Sequence, residues 1–337
     1  MTDINDILFQ AMEKKDVKKI SECLQEKASL DVCLERAINE NNMEMATTLI
    51  DMGADPNCSF ASCVQKGKLQ ATKLLIEKGA NTCQRDKSKI PVLSLAISTG
   101  NLKIIKLLLK NGAQFTIHSG LMRAIDKHNL EVVRLLIKRG ATVNFLGENG
   151  MTPLFLCLTK AEPNFEIMNE LIGNGADLNM VTPQGLPLLA AIESGNLEVV
   201  KQLIQKGADV NKCDKNKNYP IISAAKKSYK FVELLCKSGA EVNATNSDGE
   251  NALFECVRRH NFAMVEYLVE REVDLNQKSK RFNNTVLEIA LREFNFRTFD
   301  FLLKAGANPD LASRAIEEMI RDEPDFDIYM KRQKNKK

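Results

Sequence analysis

A Gly-Ala pair that closes an amphipathic helix recurs along almost the whole chain, and few folds are compatible with that. The stretch Glu193 to Asn211, ESGNLEVVKQLIQKGADVN, contains the unit in its clearest form. Gly195-Asn196 reads as a helix stop, because glycine enters the left-handed region without a Cβ penalty. The next helix carries Leu197, Val199, Val200, Leu203 and Ile204, a broad apolar stripe at helical spacing. Gly207 stops it in turn. Upstream, Leu186 to Ile192 starts a first helix, with Pro187 in the first turn where it costs no hydrogen bond. Ala190 and Ala191 are small enough for a neighbouring helix to approach closely.

The closing pair stands at Gly53-Ala54, Gly79-Ala80, Gly112-Ala113, Gly140-Ala141, Gly175-Ala176, Gly207-Ala208, Gly239-Ala240 and Gly306-Ala307, with degenerate copies at Lys27-Ala28 and Glu272-Val273. From Gly140 onward the steps are 35, 32, 32, 33 and 34 residues. A two-helix unit this short cannot bury its own apolar face. Stacked copies can, which predicts a solenoid whose contacts run only between adjacent units. The repeat therefore overrides the two or three globular domains that 337 residues would otherwise suggest.

Period and motifs resemble the ankyrin-repeat family. Thr152-Pro153-Leu154, Gly195-Asn196-Leu197-Glu198-Val199-Val200 and Gly207-Ala208-Asp209-Val210-Asn211 carry the resemblance, which with their copies covers residues 5 to 310. It implies an all-α solenoid of about ten stacked helix pairs that binds a partner protein without catalysis. Two departures stand out. The family's Thr-Pro-Leu-His histidine is replaced by Phe155, Leu189, Ile222 and Phe254, so apolar packing is expected in place of a polar bond between repeats. Early steps of 26, 26 and 28 residues are too short for the projecting β-hairpin, so several early repeats should lack it.

Within that frame, residues 1–310 form the solenoid and 311–337 a C-terminal capping helix and basic tail. Leu8, Ala11, Val17, Ile20 and Leu24 are expected to face inward in the first helix pair. The link Asn81 to Lys89 is long enough for a first hairpin. Lys160 to Asn164 is a longer inter-helix turn, and Glu272 replaces a helix-stop glycine, which predicts a looser end there. The last repeat carries Phe294, Phe296, Phe299 and Phe301 where other copies have smaller residues. Leu311 to Arg321 reads as a further helix ended by Pro324.

Composition narrows the function. Forty-seven basic and 44 acidic residues leave a net charge of +3, which argues against wholesale nucleic-acid binding. No apolar run near Met1 to Lys15 suits a secretory signal or membrane span, so no membrane insertion is expected. There are nine cysteines; Cys157 and Cys256, at alanine positions of the repeat, and Cys236, at an apolar second-helix position, read as reduced core residues of a cytoplasmic protein. His118, His128 and His260 lie in different repeats at no metal-ligand spacing, and Cys58 and Cys63 have no second pair. No phosphate loop, dinucleotide fingerprint or nucleophile elbow is present. Neither a cofactor, a metal nor a small-molecule substrate is expected.

The remaining signal is positional. The resemblance implies a concave face lined by first-helix ends and hairpins. Charges at those ends are mixed in the first seven repeats and turn basic in the last three, at Lys226, Lys227, Arg258, Arg259 and Arg292. The adjoining link adds Lys280, Arg281 and Phe282. Paired arginines on a rigid surface suit carboxylates, so the partner is expected to offer an acidic segment. Loss of either Arg258 or Arg259 should weaken binding and leave stability nearly unchanged. A second reading makes the chain an effector of an intracellular microbe acting on proteins of the host cytoplasm. It draws on the Lys- and Asn-rich composition and the basic C-terminal end. A hidden enzyme is a third; it needs a catalytic cluster outside the repeat register, and almost every polar residue has a place inside it.

Overall fold

The computed structural model describes residues 3–113, 117–160, 162–312 and 316–318. Among them are twenty α-helices in ten pairs. The first five are α1 (Ile4–Glu13) with α2 (Val17–Gln25), α3 (Leu30–Asn39) with α4 (Met43–Asp51), α5 (Asn57–Gln65) with α6 (Leu69–Glu77), α7 (Val92–Thr99) with α8 (Leu102–Lys110), and α9 (Ile117–Asp126) with α10 (Leu130–Lys138). The others are α11 (Pro153–Leu158) with α12 (Phe165–Gly173), α13 (Pro187–Ser194) with α14 (Leu197–Gln205), α15 (Pro220–Ala225) with α16 (Tyr229–Lys237), α17 (Ala252–Arg258) with α18 (Phe262–Val269), and α19 (Val286–Arg292) with α20 (Phe296–Lys304). A short 3-10 turn, Pro309–Ala312, packs on α19. Most of the further helix expected over Leu311 to Arg321, and the basic tail after it, lie outside the described residues. No strand forms among the described residues, where β pairing is limited to isolated bridges at Arg85–Pro91 and Thr182–Gly185.

Local chemistry sets the helix ends. Gly195 takes φ 78° as the left-handed stop of α13, and the next residue, Asn196, caps α14 by accepting from the Val199 amide at 3.2 Å. Two residues thus end one helix and start another. Asn42, Asn101, Asn129, Asn261 and Asn295 cap second helices in the same way. Thr152 caps α11 with Pro153 directly after it, and Thr285 and Glu288 close a reciprocal capping box on α19. Glu272 does adopt the left-handed conformation, at φ 58°. Its closing bond, Val273 amide to Leu268 carbonyl, is 3.3 Å against 2.8 to 3.0 Å at Ala54, Ala80, Ala208 and Ala240. The end is closed, but more loosely than its glycine counterparts.

Two compact units emerge. One is Met1–Gly147 with Asn169–Asn174, the other Glu148–Met168 with Gly175–Lys337. In the first, α1, α3, α5, α7 and α9 pack in a row, with α4, α6 and α8 in a second row. In the second, α11, α13, α15, α17 and α19 form the row, with α14, α16 and α18 behind. The core of each lies between its rows, as at Phe60, Leu93 and Ile104 or Ala191, Leu203 and Phe254. The links Glu26–Ser29 and Met52–Pro56 are bare turns, as their length requires, whereas Asn81–Pro91 folds into a hairpin-like loop closed by the Asp86 amide on the Ile90 carbonyl at 2.9 Å.

Two expectations are corrected. Val17 is 78 % exposed, and Cys23 is the buried residue of α2. Val17 is the first residue of α2 and sits at the edge of an open hollow lined by Met12 of α1 and Met45, Thr48 and Met52 of α4, outside the core. The second correction concerns polarity between repeats. Phe155, Leu189, Ile222 and Phe254 are buried as expected, yet a polar bond between repeats persists, carried by another residue. In Gly-Ala-x-x-Asn, the fifth position accepts from the backbone amide of the third position in the next repeat. The pairs are Asp31 with Asp55 (2.8 Å) and Asn57 with Asn81 (2.7 Å) in the first unit. In the second unit they are Asn179 with Asp209 (2.9 Å), Asn211 with Glu241 (2.8 Å), Asn243 with Asp274 (2.7 Å) and Asn276 with Asn308 (2.8 Å). Asn211 also donates to the Gly239 carbonyl at 3.0 Å. This ladder serves backbone groups left over at helix ends.

Candidate functional site

The candidate residues all belong to the second unit. Lys226 caps the C-terminus of α15, Arg258 ends α17 with Arg259 as its cap, and Arg292 ends α19. A cation at such a position faces the negative end of the helix dipole. Equivalent positions in successive repeats therefore form the basic row read from the sequence.

Their partners divide them. Arg258 makes a two-pronged ion pair with Glu250, at 2.8 and 2.5 Å. Glu250 is only 8 % exposed, and its hydrogen bonds raise the Arg258 guanidinium above its ordinary value, outweighing the opposing effect of burial. Arg259 pairs with Glu255 one turn back at 2.6 Å, on a more exposed surface. Lys227 donates from Nζ to the Glu193 carbonyl in the preceding repeat at 2.8 Å. Lys68 does the same to the Ile38 carbonyl at 2.9 Å in the first unit, so this is a repeated structural use of lysine. Lys226 and Arg292 are exposed, with no hydrogen-bond or ion-pair partner among the described residues. Sequence reasoning grouped all five; it had no signal for Glu250, eight residues before the arginine it neutralises.

The loop that presents Lys280, Arg281 and Phe282 is firmly built. Ser279, 1 % exposed, bonds through its backbone to Asn284 at 2.9 Å, and its hydroxyl accepts from the Phe282 amide at 3.1 Å. The Lys280 amide donates to the Asp248 carbonyl of the preceding loop at 2.6 Å. Gly249 makes that approach possible: a Cβ there would stand 2.8 Å from Lys280 Cγ and 3.3 Å from its backbone nitrogen, and φ is +75°. Arg281 stacks over the Phe282 ring at 5.0 Å, and Phe282 remains 60 % exposed. The result is a fixed aromatic with cations beside it.

All nine cysteines are free. Burial pushes the Cys256 thiol up to about 12 and those of Cys33, Cys63 and Cys157 to about 11, so these stay protonated and weakly nucleophilic. His128 and His260 take the left-handed turn positions, at φ 53° and 52°. Among the described residues no group of three or more His, Cys, Asp or Glu side chains could hold a metal, and no helix is long and apolar enough to cross a membrane.

A family model described as Ankyrin repeats (3 copies) matches residues 34–119, 117–181, 160–246 and 221–313. Among solved structures, the crystal structure of the human ASB11 ankyrin repeat domain is 26 % identical, covering 58 % of this chain and 89 % of that one with a TM-score of 0.49. No curated protein matches the chain.

Proposed function

Since the chain belongs to the ankyrin-repeat family, whose repeats generally serve as protein–protein interaction modules, we propose that it is a non-enzymatic adaptor that holds an acidic segment of a partner protein against the basic row of its last three repeats. The observation that carries this reading is the pair Lys226 and Arg292, exposed and without charged partners among the described residues, in the same unit as the rigid Lys280–Arg281–Phe282 loop. A cation already paired inside the chain offers little to a ligand. An unpaired one on a fixed backbone keeps its hydrogen-bonding capacity for an incoming carboxylate. Arg258 and Arg259 shape this surface through Glu250 and Glu255 more than they contact the partner. An exposed aromatic beside cations is also a common composition for an interaction anchor.

The test is comparative capture from lysates by the wild type, by Lys226→Glu/Arg292→Glu and by Lys14→Glu/Lys66→Glu. Proteins lost with the first variant and kept with the second support the assignment; the reverse pattern moves the site to the early repeats. Running the capture in lysates of the chain's own cell and of a host cell separates an endogenous cytoplasmic adaptor from a delivered effector.

A further inference from the structure

The four phenylalanines of the last repeat are not explained by the interaction reading. Phe299 is fully buried, and Phe301 meets Phe262 edge-on at 5.3 Å. Phe294 and Phe296 are 64 % and 41 % exposed, with ring centroids 6.3 Å apart. Phe294 also sits at φ 52°, where Asn41, Gly67, Gly100, Gly195 and His260 stand in other repeats. A large aromatic that is both exposed and backbone-strained points to something that covers it. An exposed cation stands two residues before it: Arg292, the last residue of α19. Glu293 is the adjacent counter-charge. The surface fits an acidic segment with interleaved apolar side chains.

The chain carries such a segment. Asp322, Glu323, Asp325 and Asp327 alternate with Phe326, Ile328 and Tyr329. It also begins in the right place. Glu318 follows Gly306 by 12 residues, as Gln65, the last residue of α5, follows Gly53 by 12. Ala312, buried in the turn that packs on α19, begins the slot of the next first helix, and Ile316 is buried further along. By that register Glu318 takes the position that Arg292 holds in α19, the last residue of a first helix. Phe326 lies eight residues further on, a reach of up to about 26–29 Å, against a repeat spacing of roughly 10 Å.

We propose that Asp322–Tyr329 docks within the same chain on Phe294 and Phe296, with its carboxylates toward Arg292, the cation there that has no ion-pair partner among the described residues. The chain then holds an internal competitor for the acidic partner; this consequence rests on the interaction reading above, whereas the docking itself does not. A short tether gives an effective concentration on the order of 1 mM. An internal segment with an intrinsic Kd of about 100 µM would therefore weaken external binding about tenfold.

The chain has no tryptophan, so a full-length Tyr329→Trp variant has a single indole emitter. The expected result is emission at shorter wavelength than that of a free peptide of residues 319–331 bearing the same substitution. The shift should be constant over a hundredfold range of protein concentration and lost in Phe294→Gly. Glycine suits the left-handed position, so that variant should retain full helicity by circular dichroism. Peptide-like emission in the parent, no response to Phe294→Gly together with Phe296→Ser, or a concentration-dependent shift from docking between copies would each overturn the proposal. Asp325→Lys/Asp327→Lys separates it from the interaction reading. If the reporter shows docking but this variant captures no more partner than wild type, the adaptor reading fails and the docking stands. If capture depends on Lys226 and Arg292 while the tryptophan emission stays peptide-like, the docking fails and the adaptor reading stands.

Discussion

Arg258→Ala tests the largest difference between the basic row as read from the sequence and as folded. The side chain of Glu250 is 10 % exposed and that of Arg258 34 %. Removing the guanidinium deletes two charge-assisted hydrogen bonds and leaves a carboxylate largely cut off from water. Breaking a fully buried pair typically costs about 3–5 kcal/mol. Here the arginine side is a third open, so water can reach part of the orphaned carboxylate, and about 2–3 kcal/mol is expected. The sequence-based expectation of nearly unchanged stability is thereby reversed for Arg258. It survives for Arg259, whose exposed i,i+4 pair is worth about 0.3–0.5 kcal/mol. The assay is urea unfolding followed by tyrosine emission. Of the four tyrosines, Tyr219, Tyr229 and Tyr267 lie in the second unit and Tyr329 follows them in sequence, so no tyrosine reports on the first unit. Adding Glu250→Gln to Arg258→Ala should recover a good part of the loss by neutralising the stranded charge. An Arg258→Ala loss under about 0.5 kcal/mol, or no recovery in the double variant, would refute the reasoning.

Asn211→Ala should cost about 1–2 kcal/mol, since it removes one bond to the Glu241 amide and one to the Gly239 carbonyl at a partly exposed site. Asn211→Asp keeps the acceptor and should fall between, with hydrogen exchange at the Glu241 amide as the local readout. Glu272→Gly should stabilise by about 1 kcal/mol by relieving the left-handed strain, and should slow exchange of the Val273 amide. Glu170 is held below its ordinary value of 4.5, chiefly by its hydrogen bond from Arg134. A lowered carboxyl contributes stability that is complete above its unfolded value and disappears as pH falls through the folded one. Arg134→Ala should therefore move the Glu170 titration upward by NMR and flatten the acid side of the stability profile.

The sequence by itself determined what depends on a few adjacent residues. Glycine in the left-handed region, asparagine as the following N-cap and proline in a first turn act within one helical turn, so helix ends, repeat count and missing hairpins were legible from spacing alone. Tertiary structure decided which side chain meets which neighbour. The asparagine that ends Gly-Ala-x-x-Asn was visible as a motif residue, but its bond goes to an amide 24 to 32 residues away, set by how repeats stack. Arg258 and Arg292 occupy equivalent places in the register, yet only Arg258 faces Glu250. Phe294 and Phe299 look alike as bulky residues in one repeat, and the fold exposes the first while enclosing the second. Periodicity specifies the path of the backbone and the buried stripe of each helix. Whether a charge or aromatic outside that stripe is spent inside the chain or left for a ligand depends on the groups that the neighbouring repeats bring within a few ångströms of it.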